Sequence, residues 1–390
     1  MGTHGNVPLQ RTHLMLAKEQ YALPGARAHA SHLAILVGLE GQESVPDRET
    51  LFFSARVLVE ALARRGPALL LFEDIHWADE SLLDLLETLA SRAQDVPLLL
   101  LTLARPELLS ARPTWGGGLT GYIALPLDPL AADAARELAT RLLVRSERAP
   151  GADAVAATAE GNPLFIEELA AALAERPSAT AGELPTSIRG IVAARLDALP
   201  PAERSLVLDA SVVGRVFWRA TLERMSPRDG IASLLGSLEQ RDFVRREAVS
   251  RIVGHQQFAF KHGLIRDVAY QTLPRAARRE RHAIVARFLE ETTGAVGQSQ
   301  EALGHHWHEA GDDERAVAYL LAAGDQAGRG WAKERAVSLY RNALALVPDN
   351  DGARRRELQL RLAVSLQQVY HLRDAQRLRR DADAGERAGA

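Results

Sequence analysis

Short apolar runs alternate with a helical pattern in the first third of the chain. Residues 48–65 place apolar side chains on one face of a predicted helix, and two predominantly apolar runs follow at 68–72 and 96–103. A helical pattern separates the two runs. Strand, helix and strand at this spacing predict a parallel βαβ unit whose strands are buried on both faces. A third strand is predicted over 122–127.

The remaining pattern is helical, with one exception. Residues 128–175 predict helices interrupted by Gly161-Asn162-Pro163, and several amphipathic helices are predicted over 186–240. Residues 243–246 and 257–260 predict the two arms of a β-hairpin. A group of helices followed by a late hairpin is the outline of a winged helix.

An internal repeat is visible beyond residue 299. Gly304 and Leu320 of a first copy correspond to Gly324 and Tyr340 of a second copy, with further small residues in register. The second copy fits the 34-residue tetratricopeptide pattern, whereas the first copy overlaps it. Stacked helical hairpins are therefore predicted to the end of the chain.

Composition removes several classes of function. The 390 residues contain no cysteine, which excludes disulfide scaffolds, zinc fingers and thiol nucleophiles. The net charge of −3 gives no bulk attraction to nucleic acid or anionic lipid. Neither a membrane-spanning apolar stretch nor a signal peptide is apparent, so a cytoplasmic protein is expected. Only three of the 47 basic residues are lysines: Lys18, Lys261 and Lys333.

The strongest chemical candidate is the pair Glu73-Asp74, which ends the first apolar run. Nucleotidases with a phosphate-binding P-loop use such a pair to hold Mg²⁺ and to polarise the attacking water. Two acids that merely end a strand give the same pattern. The six residues from Leu69 to Asp74 leave both alternatives open.

Five segments resemble the STAND class of signalling ATPases. They are LLLFEDIHWADESLLDLLETLA (69–90), PLLLLTLARPELL (97–109), GNPLFIEELAAALAE (161–175), LPTSIRGIVAARLDALPPAERSLVLDASVVG (184–214) and FAFKHGLIRDVAYQTL (258–273). The resemblance is to the ATPase, winged-helix and tetratricopeptide region of bacterial class III adenylate/guanylate cyclase-associated and LuxR-type regulators.

This resemblance implies a mixed fold in four parts. An incomplete α/β parallel-sheet P-loop ATPase core over 1–127 precedes a helical lid over 128–183. A winged-helix domain over 184–298 and tetratricopeptide-like α-helical repeats over 299–390 follow.

The resemblance also implies roles for six residues. Glu73 corresponds to the Mg²⁺-binding acid and Asp74 to the catalytic acid that orients water, although the class more often has Asp at the first position. Arg105 corresponds to the catalytic arginine that contacts the γ-phosphate. Two other predicted nucleotide-binding positions are Gly161 and Pro163 of the lid, with the proline packed on adenine.

His262 corresponds to a histidine that contacts the β-phosphate. Simpler interpretations exist for the residues outside the acid pair. A strand-end arginine in water, a helix-breaking Gly-Asn-Pro turn and a core histidine account for the same residues.

The P-loop itself is missing. Its pattern G-x-x-x-x-G-K-[ST] requires a lysine that follows glycines, and Lys18, Lys261 and Lys333 all lack that setting. The expectation is a chain that begins inside the ATPase core, after the first strand. ATP hydrolysis by this chain alone is therefore not expected, and its status as an enzyme stays open.

The preferred interpretation is an ATP-binding regulatory module of a signalling ATPase. ATP or ADP with Mg²⁺ would be its cofactors once a P-loop is supplied, and the repeats would bind a protein partner or effector domain. The alternative is a non-catalytic scaffold that uses the winged helix and the repeats. A membrane partner is not expected. DNA is disfavoured, because the basic face of Arg275, Arg278, Arg279 and Arg281 is interrupted by Glu280.

Overall fold

The computed structural model describes residues 28–29, 31–32, 47–144, 151–175, 185–227, 229–293, 299–329 and 332–369. These residues are mostly helical, with one two-stranded and one three-stranded sheet. The chain forms two compact units. The first comprises Met1–Ile123, Thr293–His308 and Asp312–Ala390, and the second comprises Ala124–Thr292 and Glu309–Gly311. No helix in the described residues is long and apolar enough to cross a membrane.

The elements follow one another in this order. They are α1 (Arg48–Ala63), β1 (Ala68–Phe72), α2 (Glu80–Arg92), β2 (Leu98–Thr102), α3 (Glu107–Ala111), α4 (Ala132–Val144), α5 (Ala152–Ala159), α6 (Pro163–Glu175), α7 (Ile188–Asp197), α8 (Pro201–Val213), β3 (Val216–Trp218), α9 (Arg219–Met225), α10 (Ile231–Gln240), β4 (Val244–Arg246), β5 (Gln257–Phe260), α11 (Gly263–Thr272), α12 (Arg275–Thr293), α13 (Ser299–Ala310), α14 (Asp313–Arg329), α15 (Lys333–Leu346) and α16 (352–369).

The first unit contains the predicted βαβ crossover, which the structure confirms. Strands β1 and β2 pair in parallel, from Ala68 opposite Leu98 to Phe72 opposite Thr102. Helix α2 connects them and covers one face of the sheet, where Phe72 packs against a buried cluster. The buried members of that cluster are Ile75, Leu83, Leu86 and Leu108.

The prediction that both faces of the two strands are buried is wrong, because the face of the sheet opposite α2 is exposed. Strand side chains alternate between faces, so every second residue of both strands points away from α2. Five leucines on that side are 39–60% exposed: Leu69, Leu71, Leu99, Leu101 and Leu103. Parallel strands in proteins are normally covered on both faces, and apolar surface in water is unfavourable. We call this surface the open leucine face.

The predicted third strand over 122–127 is wrong. The structure gives these residues no strand, and Ile123, Leu125 and Leu127 are at least 75% exposed. Their alternation of apolar residues matches the pattern of a strand, but a strand also needs a partner for its backbone N–H and C=O groups. Neither β1 nor β2 pairs with them.

The second unit contains a helical group and an antiparallel sheet. Helices α4, α5 and α6 share a core centred on Leu143, Val155 and Ile166. The three-stranded sheet has the order β3-β5-β4, with β5 antiparallel to both neighbours. The predicted hairpin is therefore confirmed. All four residues of the central strand β5 are buried.

The helical repeat of the first unit shows a glycine contact in each copy. Gly304 packs on Leu320, and Gly324 packs on Tyr340, so closely that a Cβ on either glycine would lie within 2.7 Å of the partner's side chain. The equivalent contacts lie 20 residues apart. One copy therefore advances by a single helix, which explains why the first copy overlapped the 34-residue pattern.

An ionic contact joins the last three described helices. Asp325 of α14 accepts a hydrogen bond of 2.7 Å from the Tyr340 hydroxyl of α15 and pairs with Arg361 of α16 at 2.5 Å. Burial, followed by the hydrogen bond to Asp325, raises the pKa of Tyr340 well above its ordinary value of 10. The folded repeats therefore retain the phenolic proton of Tyr340 to a higher pH than the unfolded chain does.

This contact predicts a loss of stability at alkaline pH. Above about pH 10 the unfolded chain releases the Tyr340 proton while the folded chain keeps it, so the free energy of unfolding falls as the pH rises. Tyr340→Phe is expected to cost about 1.5–3 kcal/mol at pH 8, and the cost should shrink above pH 10. Urea unfolding at pH 8 and pH 10.5 measures both. The half-exposed Tyr122→Phe is the control, and an equal effect of both variants would contradict the prediction.

Candidate functional site

The acids Glu73 and Asp74 lie directly after β1, beside the end of β2. Two backbone hydrogen bonds bracket them. Leu103 donates its N–H to the Phe72 carbonyl at 2.8 Å, and Ile75 donates its N–H to the Leu103 carbonyl at 3.1 Å. The two segments therefore remain side by side beyond the ends of the strands. Both acids are exposed.

The turn after the acids is unusual in its backbone. Asp74 has φ 57° and ψ 34°, a left-handed conformation that is uncommon outside glycine. A single 3₁₀ turn (Ile75–Trp77) follows and buries Ile75 against α2. Non-glycine residues in this conformation are found often at functional sites, because the surrounding structure must hold them there. Here the backbone hydrogen bonds of Leu103 supply that constraint.

Arg105 reaches the same edge of the sheet from β2. Its backbone N–H donates to Nδ1 of His76 at 3.4 Å, and its guanidinium is exposed. The other ring nitrogen of His76, Nε2, is shielded from solvent and has no hydrogen-bond partner among the described residues. The edge thus presents two carboxylates, a guanidinium and an imidazole. Carboxylates suit Mg²⁺, and a guanidinium suits phosphate oxygens.

The Gly161-Asn162-Pro163 turn has a complete local explanation. Gly161 has φ 77°, and a Cβ on it would lie 2.4 Å from the Leu130 carbonyl oxygen. Its own carbonyl accepts the Leu130 N–H at 2.8 Å. The Asn162 side chain caps α6 by accepting the Phe165 N–H, and Pro163 opens the helix. This geometry neither requires nor opposes a nucleotide.

His262 and Lys261 follow β5 and face one carboxylate of α6. The Glu167 carboxylate lies 3.5 Å from Nζ of Lys261 and 3.5 Å from Nε2 of His262. Lys261 also pairs with Asp242 at 3.3 Å. An ion pair with His262 exists only when the imidazole is protonated. Glu167 therefore links the helix that begins at Pro163 with the predicted histidine.

The six predicted site residues fall into two groups. Glu73, Asp74 and Arg105 lie together in the first unit. Gly161, Pro163 and His262 lie in the second unit, where α6 and Glu167 connect them. Of the three lysines, Lys261 is paired with carboxylates. Lys333, the first residue of α15, donates a hydrogen bond to the Gly328 carbonyl near the end of α14. Lys18 lies outside the described residues.

Sequence reasoning missed three residues that contact or adjoin the predicted site residues. His76 and Glu167 each stand within a quoted segment, but nothing in their spacing indicated their partners 29 and 95 residues away. The third is Asn162, whose capping role was readable, because asparagine directly before a helix-opening proline is a known N-cap signal.

The basic face of α12 is partly used inside the protein. Arg278 donates to the carbonyls of Leu273 and Gln271, and Arg281 donates to the buried Asp209 at 2.7 Å. Helix α10, which stands before the hairpin, contains no lysine or arginine. Two of the four predicted arginines are therefore committed to internal contacts.

Comparison with known proteins finds a relative in a bacterium. A protein of Rhizobium meliloti (strain 1021), described only as uncharacterized, is 29% identical over 313 residues. The match covers 74% of this chain and 29% of the relative, so the chain spans less than a third of that protein's length. No protein-family model matches the chain. The similarity therefore supplies no activity.

The turn at Gly161 predicts a strict need for glycine. Gly161→Ala places a Cβ against the Leu130 backbone and forces alanine into a left-handed conformation, at a cost of about 1–3 kcal/mol from the backbone alone. Gly66→Ala is the matched control, because no atom lies within 4 Å of its added Cβ. Urea unfolding should show a clear loss for the first variant only. Two equal unfolding midpoints would show that the turn tolerates a side chain.

Proposed function

We propose that the chain is the nucleotide-responsive part of a signalling ATPase of the STAND type. In this proposal Glu73 binds Mg²⁺, Asp74 orients water, and Arg105 contacts the γ-phosphate. Gly161, Pro163 and His262 serve as the lid and the β-phosphate contact. ATP and ADP are the ligands, and the helical repeats receive a protein partner or effector domain.

One observation carries the proposal. The two acids and Arg105 emerge at the carboxyl ends of neighbouring parallel strands, which is the edge where open α/β sheets bind ligands. The left-handed Asp74 and the unpartnered Nε2 of His76 support it, because a strained backbone and an unsatisfied polar atom are features of binding sites.

The open leucine face supports an incomplete core. A two-stranded parallel sheet with five exposed leucines is not stable by itself, and among the described residues nothing pairs with its two outer edges or covers its open face. Further strands and a covering layer would bury these leucines. In the proposal they come from polypeptide outside the described residues, together with the P-loop that the chain lacks.

The order of elements in the second unit supports the winged-helix assignment. A helix, a strand, two helices and a two-stranded hairpin follow one another as α8, β3, α9, α10, β4 and β5, with β5 in the centre of the sheet. That order of elements is typical of a winged helix. The four predicted domain boundaries remain predictions.

A scaffold is the second candidate function. The exposed leucines favour it, since a contiguous exposed apolar patch marks a surface that other polypeptide can cover. In this case the acids and Arg105 have no ligand. A role as a DNA reader receives less support, because Arg278 and Arg281 are engaged internally and α10 lacks cationic side chains.

Binding of a fluorescent ATP analogue separates the two functions. The nucleotide proposal predicts Mg²⁺-dependent binding in the micromolar range, with hydrolysis at background. Glu73→Ala and Arg105→Ala should each weaken binding about 10-fold or more, which is the worth of one charge-assisted contact. Fluorescence anisotropy of the purified chain measures the affinity.

Two variants serve as matched controls. Glu107→Ala removes an exposed acid of α3 close in sequence to Arg105, and Arg92→Ala removes an exposed arginine at the opposite end of the sheet. Both should bind like the unmodified chain. Absence of binding, or binding that does not respond to Mg²⁺ and to Glu73, would reject the nucleotide proposal in favour of the scaffold.

A further inference from the structure

Arg195 of α7 is an arginine with a buried side chain, only 2% exposed. Its Nη1 donates to Oε2 of Glu168 at 2.5 Å, and its Nη2 donates to Oε1 of Glu175 at 2.9 Å. Both acids lie on α6, two helical turns apart and therefore on one side of the helix. A single guanidinium thus forms hydrogen bonds with two side chains of α6.

The same guanidinium also contacts the segment that leads into β4. Nη2 donates to the Arg241 carbonyl at 2.8 Å, and the guanidinium carbon lies 4.5 Å from the centre of the Phe243 ring. Phe243 is fully buried. Arg195 therefore joins three elements that are distant in sequence: α6, α7 and the start of the hairpin.

The energetics favour a role in geometry over one in net stability. Burial alone would lower the pKa of Arg195, but the hydrogen bonds and charges of Glu175 and Glu168 outweigh it and raise the pKa. Buried ion pairs contribute little net stability compared with apolar residues of similar volume, whereas they can specify a single arrangement. The planar guanidinium requires its acceptors at fixed directions, which apolar packing does not.

We propose that Arg195 is a positioning residue that fixes α6, and the Gly161-Asn162-Pro163 turn at its start, on the three-stranded sheet. Helix α6 and strands β3–β5 then move as one body. The more exposed contact of Glu167 with Lys261 and His262 lies on the same helix and depends on this alignment. Only its consequence for a bound nucleotide rests on the proposed function.

Distances between two spin labels test the proposal without nucleotide. The chain contains no cysteine, so Ala174→Cys on α6 and Ala232→Cys on α10 label two exposed positions alone. The unmodified background should give one narrow distance distribution by double electron–electron resonance. Arg195→Met should shift and broaden it. Arg189→Met, an exposed arginine of the same helix, is the control and should leave it unchanged.

A stability-restored variant separates positioning from folding. Replacing the triad with apolar residues (Glu168→Leu, Glu175→Leu and Arg195→Met) should recover the melting temperature that Arg195→Met loses, while the distance distribution stays broad or shifted. A narrow, unshifted distribution in this variant would overturn the proposal.

Hydrogen exchange on the unmodified chain gives a test that needs no variant. The amides of α6 should open together with those of β5, with the same dependence on denaturant. Separate opening of α6 at lower denaturant would show that the helix is not fixed to the sheet. Because neither measurement uses ATP, loss of this proposal and loss of the nucleotide proposal are distinguishable.

Discussion

The parallel pairing of β1 with β2 is the constraint on which the candidate site depends. Because the two strands run in the same direction, their carboxyl ends meet at one edge, and Glu73, Asp74 and Arg105 arrive there together. The same pairing places every second leucine on one face, where α2 cannot cover them. One backbone arrangement therefore explains both the grouped chemistry and the exposed apolar surface.

In the second unit, ionic contacts connect helix α6 with the three-stranded sheet and the segments that flank its strands. Two neighbouring acids of α6 make different kinds of contact. Glu168 is buried and paired with Arg195, whereas Glu167 is half-exposed and faces Lys261 and His262. A buried contact resists salt and water, and an exposed contact is weak and easily screened. The buried contact therefore sets the geometry in which the exposed one forms.

Local pattern was a good guide where the cause was local. The βαβ crossover, the hairpin and the correspondence of Gly304 with Gly324 in the helical repeat were all predicted correctly, since periodicity and residue size report directly on strand, helix and helix packing. The third strand over 122–127 failed for the opposite reason. Its alternation was right, but a strand forms only where a neighbour accepts its hydrogen bonds.

The sequence by itself determined strands β1 and β2, the hairpin of β4 and β5, the acids at the end of β1, the capped turn before α6 and the missing P-loop lysine. These depend on neighbouring residues and on composition. Tertiary structure alone decided which residues meet: His76 with Arg105, Glu167 with His262, and Arg195 with Glu168. The position of a charged residue in the sequence does not indicate which distant residue it will pair with. Contacts across 27 to 95 residues therefore appear only when the chain has folded.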